Sequence, residues 1–216
     1  MEKRKIFCFD FDGTLTTKDT LIEFIRYAKG NGKFFLGFLL YSPILVGMKL
    51  HIFPNWKAKQ MIFKHFFGGM KEENFNQICS AFATNSQHLL RPAGIQFVQD
   101  CIQNNHQVLI VSASIDNWVR PFFEQKGLKG IEVLGTQIEI AQGKITGKFK
   151  TANCYGAEKV LRITKALGEN IQQQQGGSSF TLNRTEYDIE AFGDSRGDKE
   201  MLAFADKGHY KPFREC

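Results

Sequence analysis

The hydrophobic positions along the chain follow two periods that alternate with each other. Short runs rich in strand-forming residues predict strands at 5–9, 107–111, 131–134, 137–140, 144–148, 187–192 and 208–211. Between most of these runs, apolar residues recur at every third or fourth position, which is typical of amphipathic helices. The runs at 137–140 and 144–148 predict a β-hairpin. Strands alternating with helices predict the α/β class, with a parallel sheet flanked by helices.

The stretch at residues 17–90 differs from the rest because it has helical spacing throughout. We therefore predict an all-helical cap domain at 17–90, inserted after the first strand. The core domain is predicted to consist of residues 1–16 and 91–216. The two connections between the domains, at 16–19 and 90–92, are the predicted hinges of a lid.

Local signals predict where individual segments begin and end. Thr20 and Glu23 have the spacing of a capping box, which predicts Thr20 as the N-cap of the first cap helix. Gly30 and Gly32 are predicted to end that helix. The glutamine-rich and glycine-rich stretch at 171–179 is predicted to be a mobile loop.

One cap segment, from Phe34 to Met48, carries no charge and is bracketed by Lys33 and Lys49. It is shorter than the roughly 20 residues that span a bilayer, and Pro43 interrupts it. The commoner interpretation of such a segment is a helix hairpin buried inside the cap. The alternative is a surface that contacts lipid or a second subunit.

The composition narrows the class of protein. Hydrophobic residues make up 43% of the 216 residues and charged residues 23%, which is typical of a folded chain and excludes a disordered or collagen-like one. The net charge of +6 suits an anionic substrate, an acidic membrane surface or nucleic acid, but the basic residues are scattered along the chain. No nucleic-acid partner is expected, because no basic cluster with interleaved aromatic residues stands out.

The cysteines indicate the compartment. There are five, an odd number with no Cys-x-x-Cys pair, which argues against a disulfide framework or a zinc site. A reducing, cytoplasmic location is therefore expected. No signal peptide, P-loop or dinucleotide-binding motif is visible.

Acidic residues follow two of the predicted strands. Asp10 and Asp12 come after the first strand, and Asp194 and Asp198 come after the strand at 187–192. Ligands of parallel sheets bind beyond the carboxyl ends of the strands, where these acids would meet. Each motif alone is equally well explained as a turn or a polar loop, but together they predict an all-oxygen site suited to Mg²⁺.

Two further residues could bind an anion beside these acids. Ser112 ends the second predicted core strand and offers a hydroxyl and a backbone N–H. Lys159, in a predicted helix, would supply the fixed positive charge that a phosphate site with four carboxylates requires.

These motifs occur in an order that resembles a known family. Asp10-Phe-Asp-Gly-Thr14, Ser112-Ala-Ser114, Gly156 with Lys159, and Gly193-Asp-Ser-Arg-Gly-Asp198 resemble the four motifs of the haloacid dehalogenase-like superfamily. The details resemble its phosphoserine phosphatase-related branch, subfamily IB. The resemblance covers nearly the whole chain, and it implies a Rossmann-like core with a helical cap after the first strand.

The resemblance also implies roles for individual residues. Asp10 would attack phosphorus and carry an aspartyl-phosphate, and Asp12 would act as general acid and then as general base. The residues implied to hold Mg²⁺ are Asp10, Asp12 through its backbone carbonyl, Asp194 and Asp198. The residues implied to bind the phosphoryl group are Gly13, Thr14, Ser112, Ala113 and Lys159, of which Lys159 is also catalytic.

The expected activity is Mg²⁺-dependent hydrolysis of a phosphomonoester. The expected substrate is a small phosphorylated metabolite or a phospholipid head-group phosphate, since the apolar cap segment is similar to that of phosphatidylglycerophosphatases. Phosphoserine is not favoured, because Asp19 stands where that branch has a glutamate, and Lys57 and Lys59 stand near the place of its arginine. A phosphotransferase, or a phospho-acceptor or membrane-binding module with little turnover, is the alternative. Contact with the inner face of a membrane through the apolar segment is a further expectation.

Overall fold

A five-stranded parallel sheet forms the centre of the computed structural model, which describes residues 3–50, 52–168, 171–174, 177–180 and 182–214. The strands run in the order β3-β2-β1-β8-β9, and every neighbouring pair is parallel. The α/β class is therefore confirmed. In chain order, the strands are β1 Arg4–Phe9, β2 Gln107–Ile115, β3 Ile131–Thr136, β4 Ile138–Ala141, β5 Lys144–Phe149, β6 Ile171–Gln174, β7 Gly177–Phe180, β8 Tyr187–Gly193 and β9 Lys207–Tyr210.

The sheet is apolar on both faces, and helices cover it. Along β1, Phe7 and Phe9 join one hydrophobic core, whereas Ile6 and Cys8 join a second core on the opposite face. The helices are α1 Thr20–Leu40, α2 Ser42–Lys49, α3 Asn55–Phe67, α4 Glu72–Asn85, α5 Pro92–Gln103, α6 Asp116–Glu124, α7 Ala157–Leu167 and α8 Lys199–Phe204. The four helices from α1 to α4 all lie within the predicted cap.

Two smaller sheets lie beside the main one. The predicted hairpin is present as β4 and β5, which pair antiparallel. The prediction of a loop at 171–179 was wrong for the described part of that stretch, because β6 and β7 pair antiparallel there. Its residues 175 and 176 lie outside the described residues.

The first cap helix begins differently from the prediction. Asp19 caps α1 in place of Thr20, since its Oδ1 accepts hydrogen bonds from the N–H groups of Leu21 at 2.9 Å and Ile22 at 3.4 Å. The backbone leaves helical geometry at Gly30, with φ 76° and ψ 162°, so the first helical segment of α1 ends there as predicted, and a second segment continues to Leu40. Thr20 is free for a different contact, described below.

The cap is attached to the core by aromatic packing and by backbone hydrogen bonds. Phe24 of α1 is buried and stacks on Trp118 of α6, with ring centroids 4.8 Å apart. Thr16 pairs with Leu90 where the chain enters and leaves the cap. The N–H of Gly69 also donates to the carbonyl of Ile145 in β5 at 2.8 Å, so the β4–β5 hairpin holds the cap at a further point.

The prediction that the segment from Phe34 to Met48 is a buried hairpin holds for one face only, on which Phe34 and Gly37 are buried. The structure places a group of large apolar side chains from this segment and its continuation at the surface, and we call this group the apolar patch. Its members are Phe35, Leu36, Leu39, Leu40, Val46, Leu50, Ile52 and Trp56. Leu39 is 71% exposed and Ile52 is 77% exposed. None of the described helices is by itself long and apolar enough to cross a bilayer, although α1 and α2 together, bent by 62°, meet the length and composition.

Candidate active site

The site lies at the carboxyl edge of the main sheet, under the base of the cap. A cavity of about 400 Å³ opens there, between the ends of β1 and β8 and the first cap residues. Of the predicted site residues, Asp10, Asp12, Gly13, Ala113, Lys159, Asp194 and Asp198 line this cavity. The cap side contributes Thr17, Lys18, Asp19 and Lys59. The structure therefore brings together acids from two strand ends that are more than 180 residues apart in sequence.

Lys159 is buried at the centre of the site, with 2% of its surface exposed. Its Nζ donates to Asp10 Oδ1 at 2.6 Å, to Asp198 Oδ1 at 2.6 Å and to the carbonyl of Val111 at 2.7 Å. These three contacts match the three protons of an ammonium group. Lys159 therefore bridges the acids that follow β1 and β8.

Burial and these contacts set the charges of the group. Burial raises the pKa of Asp10 to about 7, and the attraction of Lys159 only partly opposes that effect. Burial disfavours the charged form of Lys159, but Asp10 and Asp198 outweigh it and hold the pKa of this lysine above its ordinary value. Burial also acts against the charged form of Asp198, but Lys159 and the hydrogen bonds from Ser195 bring its pKa below the usual range. Lys159 is thus a permanent positive charge in the site.

Asp12 is held by the cap and by β2. Its Oδ1 accepts from the N–H of Thr20 at 2.7 Å and from the Thr20 hydroxyl at 2.6 Å, and its Oδ2 accepts from the Ser114 hydroxyl at 2.6 Å. The indole N–H of Trp118 donates to the Thr20 hydroxyl oxygen at 3.1 Å and fixes its direction. Burial and the nearby Asp19 raise the pKa of Asp12 despite these hydrogen bonds. A carboxyl group held this way is suited to acid–base chemistry.

Asp194 offers an unpaired oxygen to the site. Its Oδ1 is buried and has no hydrogen-bond partner within the described part of the chain, whereas its Oδ2 accepts from Arg214 at 2.8 Å. Oxygens of Asp10, Asp194 and Asp198 lie within 4.8 Å of one another and could hold a metal ion. An unpaired carboxylate oxygen beside two other acids fits a hard cation, which would supply the missing partner.

Glycine is required where the backbone passes this cluster. Gly13 has φ 78°, and a Cβ there would collide with the Asp194 carboxylate, whose carbon would be 2.7 Å away. Gly13 therefore allows the segment after β1 to approach the end of β8 closely.

Asp198 has a different role from the other acids because both of its oxygens are occupied. Its Oδ2 accepts from the Ser195 N–H at 2.9 Å, the Ser195 hydroxyl at 2.7 Å and the Asp194 N–H at 3.2 Å. Its Oδ1 accepts from Lys159. Asp198 is thus positioned to shape the loop and to orient Lys159.

Two predicted phosphate-binding residues lie behind the cavity wall. Ser112 is fully buried, and its hydroxyl oxygen accepts from the Ser114 N–H at 3.0 Å. It does not end its strand as predicted, because β2 continues to Ile115 with a break in register after Val111. The Thr14 hydroxyl is also buried, with no hydrogen-bond partner among the described residues.

Comparisons with known proteins agree with this geometry. The model of the haloacid dehalogenase-like hydrolase family matches residues 7–203. The chain belongs to the haloacid dehalogenase-like hydrolase family. It is 30% identical over 210 residues to Protein CicA of Caulobacter vibrioides, covering 95% of this chain and 85% of that one.

Solved structures share the haloacid dehalogenase-like fold. A protein of unknown function from Bordetella pertussis Tohama I superposes with a TM-score of 0.75 at 15% identity, covering 94% of this chain and 87% of that one. A phosphoserine phosphatase, solved as a phospho-aspartyl intermediate analogue, gives a TM-score of 0.55 at 18% identity, with 94% and 84% covered. The resemblance inferred from the motifs is therefore confirmed.

Sequence reasoning missed several residues of this haloacid dehalogenase-like site. Thr20, predicted as a helix cap, instead holds Asp12, and no pattern in the sequence indicates the role of Trp118. The residues around the cavity that had no predicted role are Thr17, Lys18, Arg91, Tyr155, Ser195 and Arg214. Ser114 and Ser195 gave a signal in the sequence, because each lies in one of the quoted motifs.

Proposed function

We propose that this protein is a Mg²⁺-dependent phosphomonoester hydrolase that acts through an aspartyl-phosphate on Asp10. The observation that carries the proposal is the division of the acids into two groups with separate partners. Asp10 and Asp198 share the buried Lys159, whereas Asp12 is held independently by Thr20 and Ser114. A nucleophile and a separate acid–base group are what a two-step phosphoryl transfer requires.

In the first step, an oxygen of Asp10 attacks phosphorus and the ester P–O bond breaks. Asp10 Oδ1 accepts a hydrogen bond from Lys159, whereas Asp10 Oδ2 accepts no hydrogen bond within the described residues. Asp10 Oδ2 is therefore the attacking oxygen. Asp12 gives its proton to the departing alkoxide, which leaves as an alcohol. The pKa of Asp12 is raised by burial, which keeps a proton available.

In the second step, Asp12 takes a proton from water as the water oxygen attacks phosphorus. The acyl–phosphate P–O bond breaks, inorganic phosphate leaves, and the Asp10 carboxylate is restored. Lys159 and the backbone at Gly13 offset the negative charge of the phosphoryl group throughout.

The metal proposed for this site is Mg²⁺. The residues that would hold it are Asp10 and Asp194 through carboxylate oxygens, together with the backbone carbonyl of Asp12 that the family resemblance implies. Carboxylate oxygens that include one unpaired buried oxygen suit this ion. When bound, Mg²⁺ shields the negative charges of Asp10 and the phosphate from each other. Asp198 orients Lys159 beside it.

The surroundings of the cavity bear on the leaving group of the substrate. Lys59 and Arg91 bring positive charge to the cavity wall, and Asp19 is an acid at the cap base. A second cavity of about 390 Å³, lined by Trp56, Phe149 and other residues, adjoins the first at Tyr155. An aromatic space of this kind suits an apolar or hydroxylated leaving group, so the proposed substrates are a small phosphorylated metabolite or a phospholipid head-group phosphate.

The location is proposed to be cytoplasmic. The cysteines that the structure describes, Cys8, Cys79, Cys101 and Cys154, are all buried and unpaired, which suits a reducing compartment.

A phosphate-release screen tests the proposal. Sugar phosphates, phosphoserine, glycerol phosphates and lysophosphatidic acid would be assayed with Mg²⁺ and with a chelator. Activity is expected only with Mg²⁺, and Asp10→Asn is expected to abolish it, while Asp100→Asn, an exposed aspartate on α5, leaves it unchanged. Turnover by Asp10→Asn equal to that of the wild type would overturn the proposal.

The same assay separates hydrolysis from the alternatives. Asp12→Asn is expected to slow turnover by roughly 10²–10⁴-fold, because acid–base help is lost. A phospho-acceptor module would be labelled on Asp10 at the same rate in this variant. A phosphotransferase would pass phosphate to an added alcohol such as glycerol faster than to water.

A further inference from the structure

The apolar patch is the outer face of a helical hairpin whose inner face is well packed. Phe34 is buried, and its ring centroid lies 4.4 Å from that of Phe38. A Cβ at Gly37 would collide with the ring of Phe66 in α3, so the two helices are in close contact. Leu39, on the same helix, nevertheless stays exposed. The exposure therefore belongs to a folded element and does not result from loose packing.

The concentration of exposed apolar residues here is unusual for a folded chain. Of the thirteen large hydrophobic side chains exposed among the described residues, eight lie in the short stretch from Phe35 to Trp56. Single exposed apolar residues are normal, whereas a group of them marks a contact surface.

Charge indicates what this surface contacts. Between Glu23 and Glu72 the chain has eight lysines and arginines and no acidic residue. The rest of the chain, with 20 basic and 22 acidic residues, has a slight negative charge. The basic residues are scattered along the chain, as the sequence analysis found, but the acidic residues are not, so the net positive charge of the protein comes from the cap.

Some of these cations lie directly beside the patch. The Arg26 guanidinium lies 6.0 Å from the centroid of the Phe35 ring, and Lys57 Nζ lies 5.4 Å from that of Trp56. Lys33, two residues before Phe35, is exposed. Apolar side chains bordered by lysine, arginine and tryptophan are suited to the boundary between lipid head groups and acyl chains.

A second copy of this chain does not fit the patch as well. An interface between two identical patches would bring two cationic caps together, with no acid between Glu23 and Glu72 on either side to pair with them. An anionic lipid surface supplies both the apolar environment and the opposite charge. The 62° bend between α1 and α2 suits helices that lie in this surface without crossing it.

We propose that the apolar patch and the cations beside it dock the cap onto the surface of an anionic lipid bilayer. Docking of this kind is independent of turnover. The catalytic variant Asp10→Asn is therefore expected to bind lipid as the wild type does, which separates this proposal from the proposed hydrolase function.

Sedimentation with vesicles tests the docking. The protein would be mixed with vesicles of phosphatidylcholine alone, or of phosphatidylcholine with phosphatidylglycerol. We expect binding to the anionic vesicles, weaker binding to the neutral ones, and loss of binding as salt is raised.

Paired variants separate the two contributions. Leu36→Ser with Leu39→Ser is expected to weaken binding by at least about tenfold, whereas Leu161→Ser, an exposed leucine on α7, leaves it unchanged. Lys33→Gln with Lys57→Gln is expected to weaken binding to anionic vesicles by about 20-fold. The control is Lys126→Gln with Lys129→Gln, two exposed lysines of the core.

Tryptophan fluorescence gives a readout that needs no change in the leucines. Of the two tryptophans, Trp56 is exposed and Trp118 is buried, so a blue shift on adding anionic vesicles is expected from Trp56 and is lost in Trp56→Phe. Absence of binding to either vesicle, or equal losses in the control variants, would overturn the proposal. So would a wild-type dimer in sedimentation velocity that becomes monomeric in Leu36→Ser with Leu39→Ser, because a second copy would then cover the patch.

Discussion

The catalytic edge and the outer face of the cap both hold groups in an unfavourable environment. At the catalytic edge, charged side chains are buried, but Asp10, Lys159 and Asp198 compensate one another within the chain. On the cap, the leucines of the apolar patch lie in water, and no described residue covers them. At the first place, the catalytic edge, the compensation comes from within the chain, except at the unpaired oxygen of Asp194, which the proposed metal would satisfy. The second place lacks its compensation, and we infer that it comes from outside the chain.

The two regions also differ in the sign of their charge. Acids dominate the catalytic edge, where Asp10, Asp12, Asp194 and Asp198 lie together, whereas the cap between Glu23 and Glu72 has only basic residues. Lys59 lies where the two regions meet, since it belongs to the cap but lines the catalytic cavity. Substitutions of the same residue type in the two regions therefore test whether the distinction is real.

The largest difference is expected between two lysines of the same cavity. Lys159→Met leaves the buried Asp10 and Asp198 without their partner, and it should cost about 3–5 kcal/mol of unfolding free energy and abolish activity. Lys59→Met, at a partly exposed site, should cost about 0.5 kcal/mol or less. Urea unfolding followed by circular dichroism measures both. Equal losses in the two variants would mean that the buried charges are not coupled as the structure indicates.

A second pair compares two phenylalanines of α1. Phe24 is buried between the cap and Trp118, so Phe24→Ala should cost about 3–5 kcal/mol. Phe35 is 61% exposed, and Phe35→Ala should cost less than about 1 kcal/mol while weakening vesicle binding. Thermal unfolding gives the first quantity and vesicle sedimentation the second. A large loss of stability in Phe35→Ala would place the patch in the folded core and remove the reason for an outside partner.

The sequence predicted the catalytic edge better than the cap, and the reason is physical. Strand periodicity and the rule that parallel strands end at one edge were enough to bring Asp10 and Asp194 together, because both signals are local. The segment around Leu39 has the same apolar pattern whether it is buried or exposed. Only the packing of α1 on α3, set by tertiary contacts, shows which face is left uncovered. The domain boundaries and the lid hinges stay predictions.

Thr20 illustrates a different limit of sequence reasoning. Its spacing to Glu23 fits a helix cap, and neighbouring Asp19 has the same chemistry, so local patterns could not choose between them. The choice depends on Asp12, eight residues earlier, which takes the Thr20 hydroxyl as a hydrogen-bond donor. The break in register after Val111, which leaves Ser112 inside β2, likewise depends on pairing with β3.

A third prediction concerns this contact between the two regions. Thr20→Val keeps the shape but removes the 2.6 Å hydrogen bond to Asp12 and leaves the Trp118 N–H unpaired. We expect a loss of about 1–3 kcal/mol in stability and a lower kcat, because Asp12 is no longer held. Thr84→Val, an exposed threonine of α4 whose hydroxyl donates only to the Ser80 carbonyl, is the control. An unchanged kcat in Thr20→Val would show that the hydrogen bond from Thr20 of the cap does not position Asp12 for catalysis.

The smallest effect is expected at Glu190 in β8, which contacts Lys207 and His209 of β9, and it is visible mainly through pH. Burial acts against the charged form of Glu190 in β8, but hydrogen bonds from His209 and Lys207 outweigh it and bring its pKa below 4.5. A carboxyl group whose pKa is lower in the folded state stabilises the fold when the pH is above the pKa of the group in the unfolded state. This stabilisation is lost as the pH falls through the pKa of the group in the folded state. Glu190→Gln should therefore cost up to about 1 kcal/mol at pH 7, and the difference from the wild type should shrink below pH 4.5. Urea unfolding of both proteins at pH 7 and at acid pH measures this. A difference that stays constant or grows as pH falls would contradict the assignment of these contacts to the charged form of Glu190.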